Sequence, residues 1–182
     1  MIICICGKSG SGKSTISNYL VKEFAAIHID IDKIGHKSHG DEKVKQDLIN
    51  TFGLSILTKG NIDRKKLGKI VFGSKNEMKK LEDITWNYME KEIDKIIESN
   101  KNKTIVLDWL LLPKTKYMKL ANLKILIDIP YEIRKKRILK RDNISAEAFD
   151  LREQASITYN NDDFDYIFNN NDSNNIRKLV KL

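Results

Sequence analysis

Six apolar residues open the chain, Met1-Ile-Ile-Cys-Ile-Cys6, an uninterrupted run that suits a buried strand. After a short glycine-rich break, apolar positions between residues 15 and 24 recur at helical spacing. Residues 26–32, Ala-Ile-His-Ile-Asp-Ile-Asp, predict a second short strand ending in acids. Residues 33–52 are mostly helical in pattern, with breaks near Gly35 and Gly40, and Gly53 and Gly60 bracket a loop or short hairpin. A short helix is predicted over 64–72. Ser74-Lys-Asn-Glu77 has the spacing of a capping box and opens a long helix to about residue 99. Strands follow at 103–108 and 124–129; Pro130 then suits the first position of a helix running to about residue 141. Ser145 is placed to cap a helix reaching about residue 159, residues 165–168 predict a fifth strand, and Ser173 or Asn174 starts a terminal helix.

Strands that alternate with helices predict an α/β fold: a five-stranded, mainly parallel sheet flanked by helices, in three layers. At 182 residues the chain is expected to form a single domain, 1–182. The helical stretch up to residue 100 interrupts the rhythm and is expected to be an insertion, 56–100, leaving 1–55 and 101–182 as core.

Composition changes this picture little. Hydrophobic content of 41% and charged content of 32% are those of an ordinary soluble protein. No apolar run approaches the ~20 residues of a membrane span, and no basic segment precedes the first strand, so a cytoplasmic location without membrane contact is expected. The net charge of +8 permits nucleic-acid binding and equally suits an enzyme with phosphate-bearing substrates. Cys4 and Cys6, two apart on one strand, face the same side and read as core packing rather than a metal site or disulfide.

The break after the first strand carries the most specific chemistry. Gly7-Lys-Ser-Gly-Ser-Gly-Lys-Ser14 matches G-x-x-x-x-G-K-[ST], a phosphate-binding loop, in the strand–loop–helix context the motif requires. The backbone of Ser9, Gly10, Ser11, Gly12, Lys13, Ser14 and Thr15 would cradle a nucleoside triphosphate; Lys13 would reach its β- and γ-phosphates, and the Ser14 hydroxyl would bind Mg²⁺.

Around the loop the readings stay divided. Asp30 and Asp32 end the second strand, where open parallel sheets bind ligands, and Asp32 is either a base or a helix cap. Arg137 and Arg141 share one helix face and either hold phosphate oxygens or belong to a solvated basic helix. Asp108 ends the third strand, a position for an acid near Mg²⁺; it is followed by Trp109 rather than Glu, which argues against a hydrolytic motor. No N-K-x-D motif is present, which disfavours a GTP switch. His28 reads as packed, and His36 and His39 lack metal-ligand spacing.

Taken together these segments resemble the dephospho-coenzyme A kinase family nearly end to end. Asp30-Ile-Asp-Lys-Ile-Gly-His36 matches that family's D-A-D-x-I-A-[HR], followed by a segment like Asp63-Arg-Lys-Lys-Leu-Gly-Lys-Ile-Val-Phe72 and by L-E-x-I at Leu81-Glu-Asp-Ile84. Arg137 to Asp142 fits R-x-x-x-R-D, and Asp165-Tyr-Ile-Phe-Asn-Asn170 fits D-Y-[IV]-x-x-N. The resemblance implies a P-loop kinase fold with a helical acceptor-binding insertion and a helical lid near 131–158. It implies transfer of the ATP γ-phosphate, with Mg²⁺, to the ribose 3′-hydroxyl of dephospho-coenzyme A. Asp32 becomes the base, Arg141 lies in a lid over the phosphates and Asn170 near the adenine; whether Arg141 or Arg137, four residues before it, touches ATP stays open. The pattern departs at Thr85-Trp-Asn87, where the family has x-H-P, at Asp108 to Pro113, where the proline is displaced, and at Gln154, which has Asp150 rather than Arg four residues before it. The other readings are a nucleoside or nucleotide kinase of the same architecture, a relative that has lost catalysis, and an ATP-dependent nucleic-acid-binding protein, the last disfavoured. A monomer or small homo-oligomer is expected.

Overall fold

The computed structural model describes residues 1–169, so the expected terminal helix and Asn170 lie outside the described residues. Two compact units are present: Met1–Asp30 together with the chain from Asn100 onward, and Ile31–Ser99.

The first unit is built on a parallel sheet. Strands β1 (Ile2–Cys6), β2 (Ile27–Asp30), β5 (Ile105–Asp108), β6 (Leu123–Asp128) and β7 (Tyr166–Asn169) lie in the order β2-β5-β1-β6-β7. All the pairings are parallel, and the strands end almost level: Asp30 pairs with Asp108, Ile5 with Asp108, Cys6 with Leu126 and Asp128 with Asn169. β1 is therefore central, and the chain leaves it at the carboxyl edge, where open α/β sheets bind their ligands. Ile3, Ile5, Val106, Ile125, Ile127 and Phe168 form the core with Ile16 and Leu20 of helix α1 (Lys13–Glu23). The apolar run of β1 is thus a strand covered on both faces. Cys4 and Cys6 are fully buried in it; burial pushes the Cys4 thiol up to about 12 and raises that of Cys6 as well. A short helix, α6 (Tyr117–Leu120), precedes β6, and helices α7 (Tyr131–Asp142) and α8 (Ala146–Gln154) follow it. Pro130 immediately precedes α7, and Ser145 caps α8 by accepting from the Ala148 amide at 3.2 Å.

The second unit is mostly helical: α2 (Ile31–Ser38), α3 (Glu42–Phe52), α4 (Arg64–Val71) and α5 (Lys75–Ser99), with a hairpin of β3 (Leu57–Thr58) and β4 (Asn61–Ile62) between α3 and α4. Lys59 and Gly60 make the hairpin turn with φ of 50° and 78°, the left-handed pair that a two-residue turn requires. Val44, Leu48, Ile56, Leu67 and Val71 form its core, and Met78, Leu81, Ile84 and Tyr88 of α5 pack against it at helical spacing. α2, α3 and α4 all pack on α5, and together they make the compact unit Ile31–Ser99.

Three expectations need correction. The second strand stops at Asp30, and α2 starts with the next residue, so Asp32 is not on the strand beside Asp30 but in the first turn of a helix. Gly35 does not break that helix; it lies inside it, its missing side chain leaving room for the Met89 sulfur, which would stand 3.3 Å from a Cβ. Ser74 does accept from the Glu77 amide at 3.3 Å, but Glu77 turns to Lys80 at 2.8 Å instead of closing the box. Among the described residues no helix is long and apolar enough to cross a membrane, and no group of three His, Cys, Asp or Glu side chains could hold a metal.

Candidate functional site

The loop from Gly7 to Ser14 leaves β1 at the centre of the sheet and runs directly into α1. Gly12, the residue before α1, has φ 89°, and among the described residues no side chain caps that helix end. Its first amides and the positive end of its dipole are therefore left to face an anion. Gly10 has φ 81°, and a Cβ there would stand 2.9 Å from the carbonyl oxygen of Arg134 and 3.0 Å from Ile138 Cγ1. A side chain at position 10 would thus be strained and would collide with α7. The Lys13 ammonium donates to the Gly7 carbonyl at 2.7 Å, and Ser14 and Thr15 are exposed while Ser11 is buried.

Among the described residues Tyr159, Ser17, Arg134 and Arg137, all outside the motif, bond to the loop. Tyr159 accepts from the Gly7 amide at 3.1 Å and donates to the Leu110 carbonyl at 2.9 Å. Burial raises its hydroxyl well above the ordinary tyrosine value. Ser17 lies 2.7 Å from Asp108 Oδ2 and 3.0 Å from the Lys13 carbonyl, so the carboxylate at the end of β5 is tied to the first turns of α1. His28 Nε2 stands 3.7 Å from the same oxygen, and Asp108 is 5% exposed.

The third holder is Arg134, itself 5% exposed. Its guanidinium donates from Nε to the Ile129 carbonyl at 3.1 Å, from Nη1 to the Ser9 carbonyl at 3.4 Å, and from Nη1 and Nη2 to the two Glu153 oxygens at 2.8 Å each. Lys8 donates to the same carboxylate at 2.6 Å. A buried guanidinium facing a carboxylate with both forks matched is the geometry that offsets desolvation. Arg134, with Lys8 in support and burial opposing, holds the Glu153 carboxyl down at about 2. Glu153 of α8 thus engages α7, through Arg134, and the loop, through Lys8, with one carboxylate.

The predicted site residues fall into three groups. Lys13, Ser14, Thr15 and the loop backbone are together, with Asp108 beside them through Ser17. Arg137 is brought to the loop, donating to the Gly10 carbonyl at 3.2 Å. Arg141 is not hydrogen-bonded to the loop: it pairs with its neighbour Asp142 at 2.7 Å and borders, with Ser9, Arg152 and Glu153, a cavity of about 120 Å³. Asp32 is exposed in the first turn of α2, in the other unit. It is not the residue before that helix, so a capping role is not its position. Lys8, Ser17, Arg134, Glu153 and Tyr159 were not singled out from sequence. A larger cavity of about 340 Å³ lies beside the loop, bordered by Lys8, Pro130, Arg134, Tyr159 and Asn169.

Removing Glu153 leaves Arg134 buried without its carboxylate. Glu153→Ala is expected to cost on the order of 3 kcal/mol, lowering Tm by about 6–12 °C for a chain of this size. The depressed carboxyl makes this stabilisation fully present above the unfolded value of about 4.5 and lost as pH falls toward about 2. The Tm gap between wild type and variant should therefore be constant through neutral pH and close in acid. An equal Tm at pH 7 would refute the clasp.

Comparison with known proteins agrees along the chain. The family model described as dephospho-CoA kinase matches residues 1–175. The dephospho-CoA kinase of Fusobacterium nucleatum is 34% identical over 184 aligned positions, covering 100% of this chain and 94% of that protein. That of Aquifex aeolicus is 36% identical, covering 94% and 89%. Among solved structures, a Thermus thermophilus protein superposes with a TM-score of 0.84 at 22% identity, covering 100% of this chain and 94% of that one. The dephospho-CoA kinase of Campylobacter jejuni superposes with 0.58 at 26% identity, covering 99% and 93%. A phosphate loop in its structural context and a match over nearly the whole sequence lead to one assignment: the chain belongs to the dephospho-CoA kinase family.

Proposed function

We propose that this protein transfers the γ-phosphoryl group of ATP to the ribose 3′-hydroxyl of dephospho-CoA, giving CoA and ADP. The observation that carries this reading is a built phosphate loop at the carboxyl edge of β1 in a chain matched to the family from residue 1 to 175. The match favours it over a nucleoside or nucleotide kinase and over a nucleic-acid-binding protein.

In this reading the loop amides and Lys13 hold the β- and γ-phosphates, so that the γ-phosphorus is presented to the acceptor with its charge already met. The acceptor oxygen forms a bond to the γ-phosphorus as the bond to the β–γ bridging oxygen breaks and ADP leaves. The proton of the hydroxyl passes to Asp32, two residues beyond the end of β2 and in the matched D-x-D motif. Arg137, already on the Gly10 carbonyl, and Arg141, in the last turn of α7, supply cationic charge to the transferring group. The family's adenine neighbour, Asn170, is outside the described residues; Asn169 before it borders the larger cavity.

The donors present fit Mg²⁺, which takes one or two protein oxygens besides water and phosphate oxygens. Ser14, exposed in the first turn of α1, would hold it, and Asp108, its Oδ2 engaged by Ser17, would accept from bound water. Bound Mg²⁺ neutralises charge on the β- and γ-phosphates.

Two variants test the reading on one preparation. Lys13→Ala should abolish most transfer to dephospho-CoA while the protein stays folded. Asp32→Asn should bind ATP and melt like wild type yet lose about 10²–10⁴ in turnover. Turnover near wild type in Asp32→Asn would remove the base, and wild-type protein that phosphorylates a nucleotide but not dephospho-CoA would remove the acceptor.

A further inference from the structure

The helical unit carries a cationic cluster that the phosphate loop does not account for. Helix α4 opens with Arg64-Lys65-Lys66, three cations at the end where the macrodipole is already positive and acids are favoured. The acid at that end, Asp63, is spent on its own cap: Oδ1 accepts from the Lys65 and Lys66 amides at 2.9 and 3.2 Å, and Oδ2 from the Thr58 hydroxyl at 2.8 Å. Lys66 Nζ donates to the Leu57 carbonyl at 2.7 Å.

Arg64 reaches away from Asp63 to His36. Its Nη2 stands 2.9 Å from His36 Nε2. A guanidinium has donors and no acceptor, so the imidazole accepts here and carries its proton on Nδ1. Among the described residues no carboxylate lies within ion-pair distance of Arg64. His39 is three residues on from His36. Its Nδ1 is buried with no hydrogen-bond partner among the described residues. Burial first, then Arg64 and His36, hold its imidazole below the ordinary histidine value. An exposed arginine whose hydrogen-bonded partner is a ring nitrogen rather than a carboxylate is open to an anion, and its planar fork matches two oxygens of a phosphoryl group.

We propose that Arg64, His36 and His39 form the site for the diphosphate of the acceptor. The proposal rests on the acceptor being dephospho-CoA, which carries its own diphosphate apart from the ribose hydroxyl that reacts. The phosphate loop takes the phosphates of ATP, and the cluster takes those of the second substrate. On binding, Arg64 exchanges an acceptor nitrogen for anionic oxygens, and His36, released from it, turns so as to donate from its N–H.

The test has two arms on the full chain. In the kinetic arm, Arg64→Ala should raise KM for dephospho-CoA by about 10–100-fold, the range for a hydrogen bond to a charged group, with KM for ATP unchanged. Arg64→Lys should fall between, having charge without the fork. An unchanged KM for dephospho-CoA, or an equal rise for both substrates, overturns the proposal. In the binding arm, ¹⁵N-histidine spectra follow inorganic pyrophosphate added to protein whose loop is filled with ADP and Mg²⁺. The chain has three histidines, so each reports separately. His36 and His39 should shift, His28 should not, and Arg64→Ala should abolish the shifts. Silence at His36 and His39 overturns the site. Shifts with an unchanged KM assign it to a free anion and overturn its role toward the acceptor. Should wild type fail to phosphorylate dephospho-CoA, the functional reading falls, and the spectra alone decide whether the cluster is an anion site.

Discussion

One buried guanidinium determines how the catalytic edge of the sheet is assembled. Taking Arg134 out of water is costly unless its donors are met. The groups that meet them come from the end of β6, from the phosphate loop and from α8. Strand end, loop and α8 therefore all meet at one side chain on α7. Gly10 makes the arrangement possible, because its missing Cβ is what lets the Arg134 backbone approach the loop. Glycine at this position thus serves packing as well as phosphate access.

The parts of the fold written in local pattern were legible before the structure: the buried run of β1, the loop and the start of α1, and the helix caps at Ser74 and Ser145; the hairpin was seen only as a loop or hairpin bracketed by Gly53 and Gly60, whereas Gly60 lies in its turn. What was not legible depends on distance in the chain. Arg134 looks like one cation among several on a basic helix, and nothing within a few residues announces that it is buried. Its partners are Glu153, on the next helix, and Ser9, more than a hundred residues earlier. Tyr159 likewise acts by joining Gly7 to Leu110. Asp32 was misplaced for another reason. Ile31 is buried, and an alternating apolar pattern continues equally well into a strand or into the first turn of a helix that begins without a loop.

The helical unit shows the same division. The helical stretch that interrupts the strand–helix rhythm was visible in the pattern, but that α2 and α3 share the α5 packing surface was not. The departures at Thr85 and Trp86 fall on that helix. Thr85 is buried with its hydroxyl on the Leu81 carbonyl at 2.8 Å, so at this position the chain uses a self-satisfied polar side chain.

The two cysteines give the molecule a built-in clock. Both sit at zero exposure on the central strand, hydrogen-bonded on both sides to β5 and β6, and the Cys4 sulfur lies 3.7 Å from the Tyr117 carbonyl. Their thiols are held protonated by burial and so are poor nucleophiles. The strand is uncovered when it parts from β5 and β6, its neighbours on either side. A thiol reagent therefore meets a sulfur when the sheet itself comes apart, and the rate of labelling measures global opening free of local fraying.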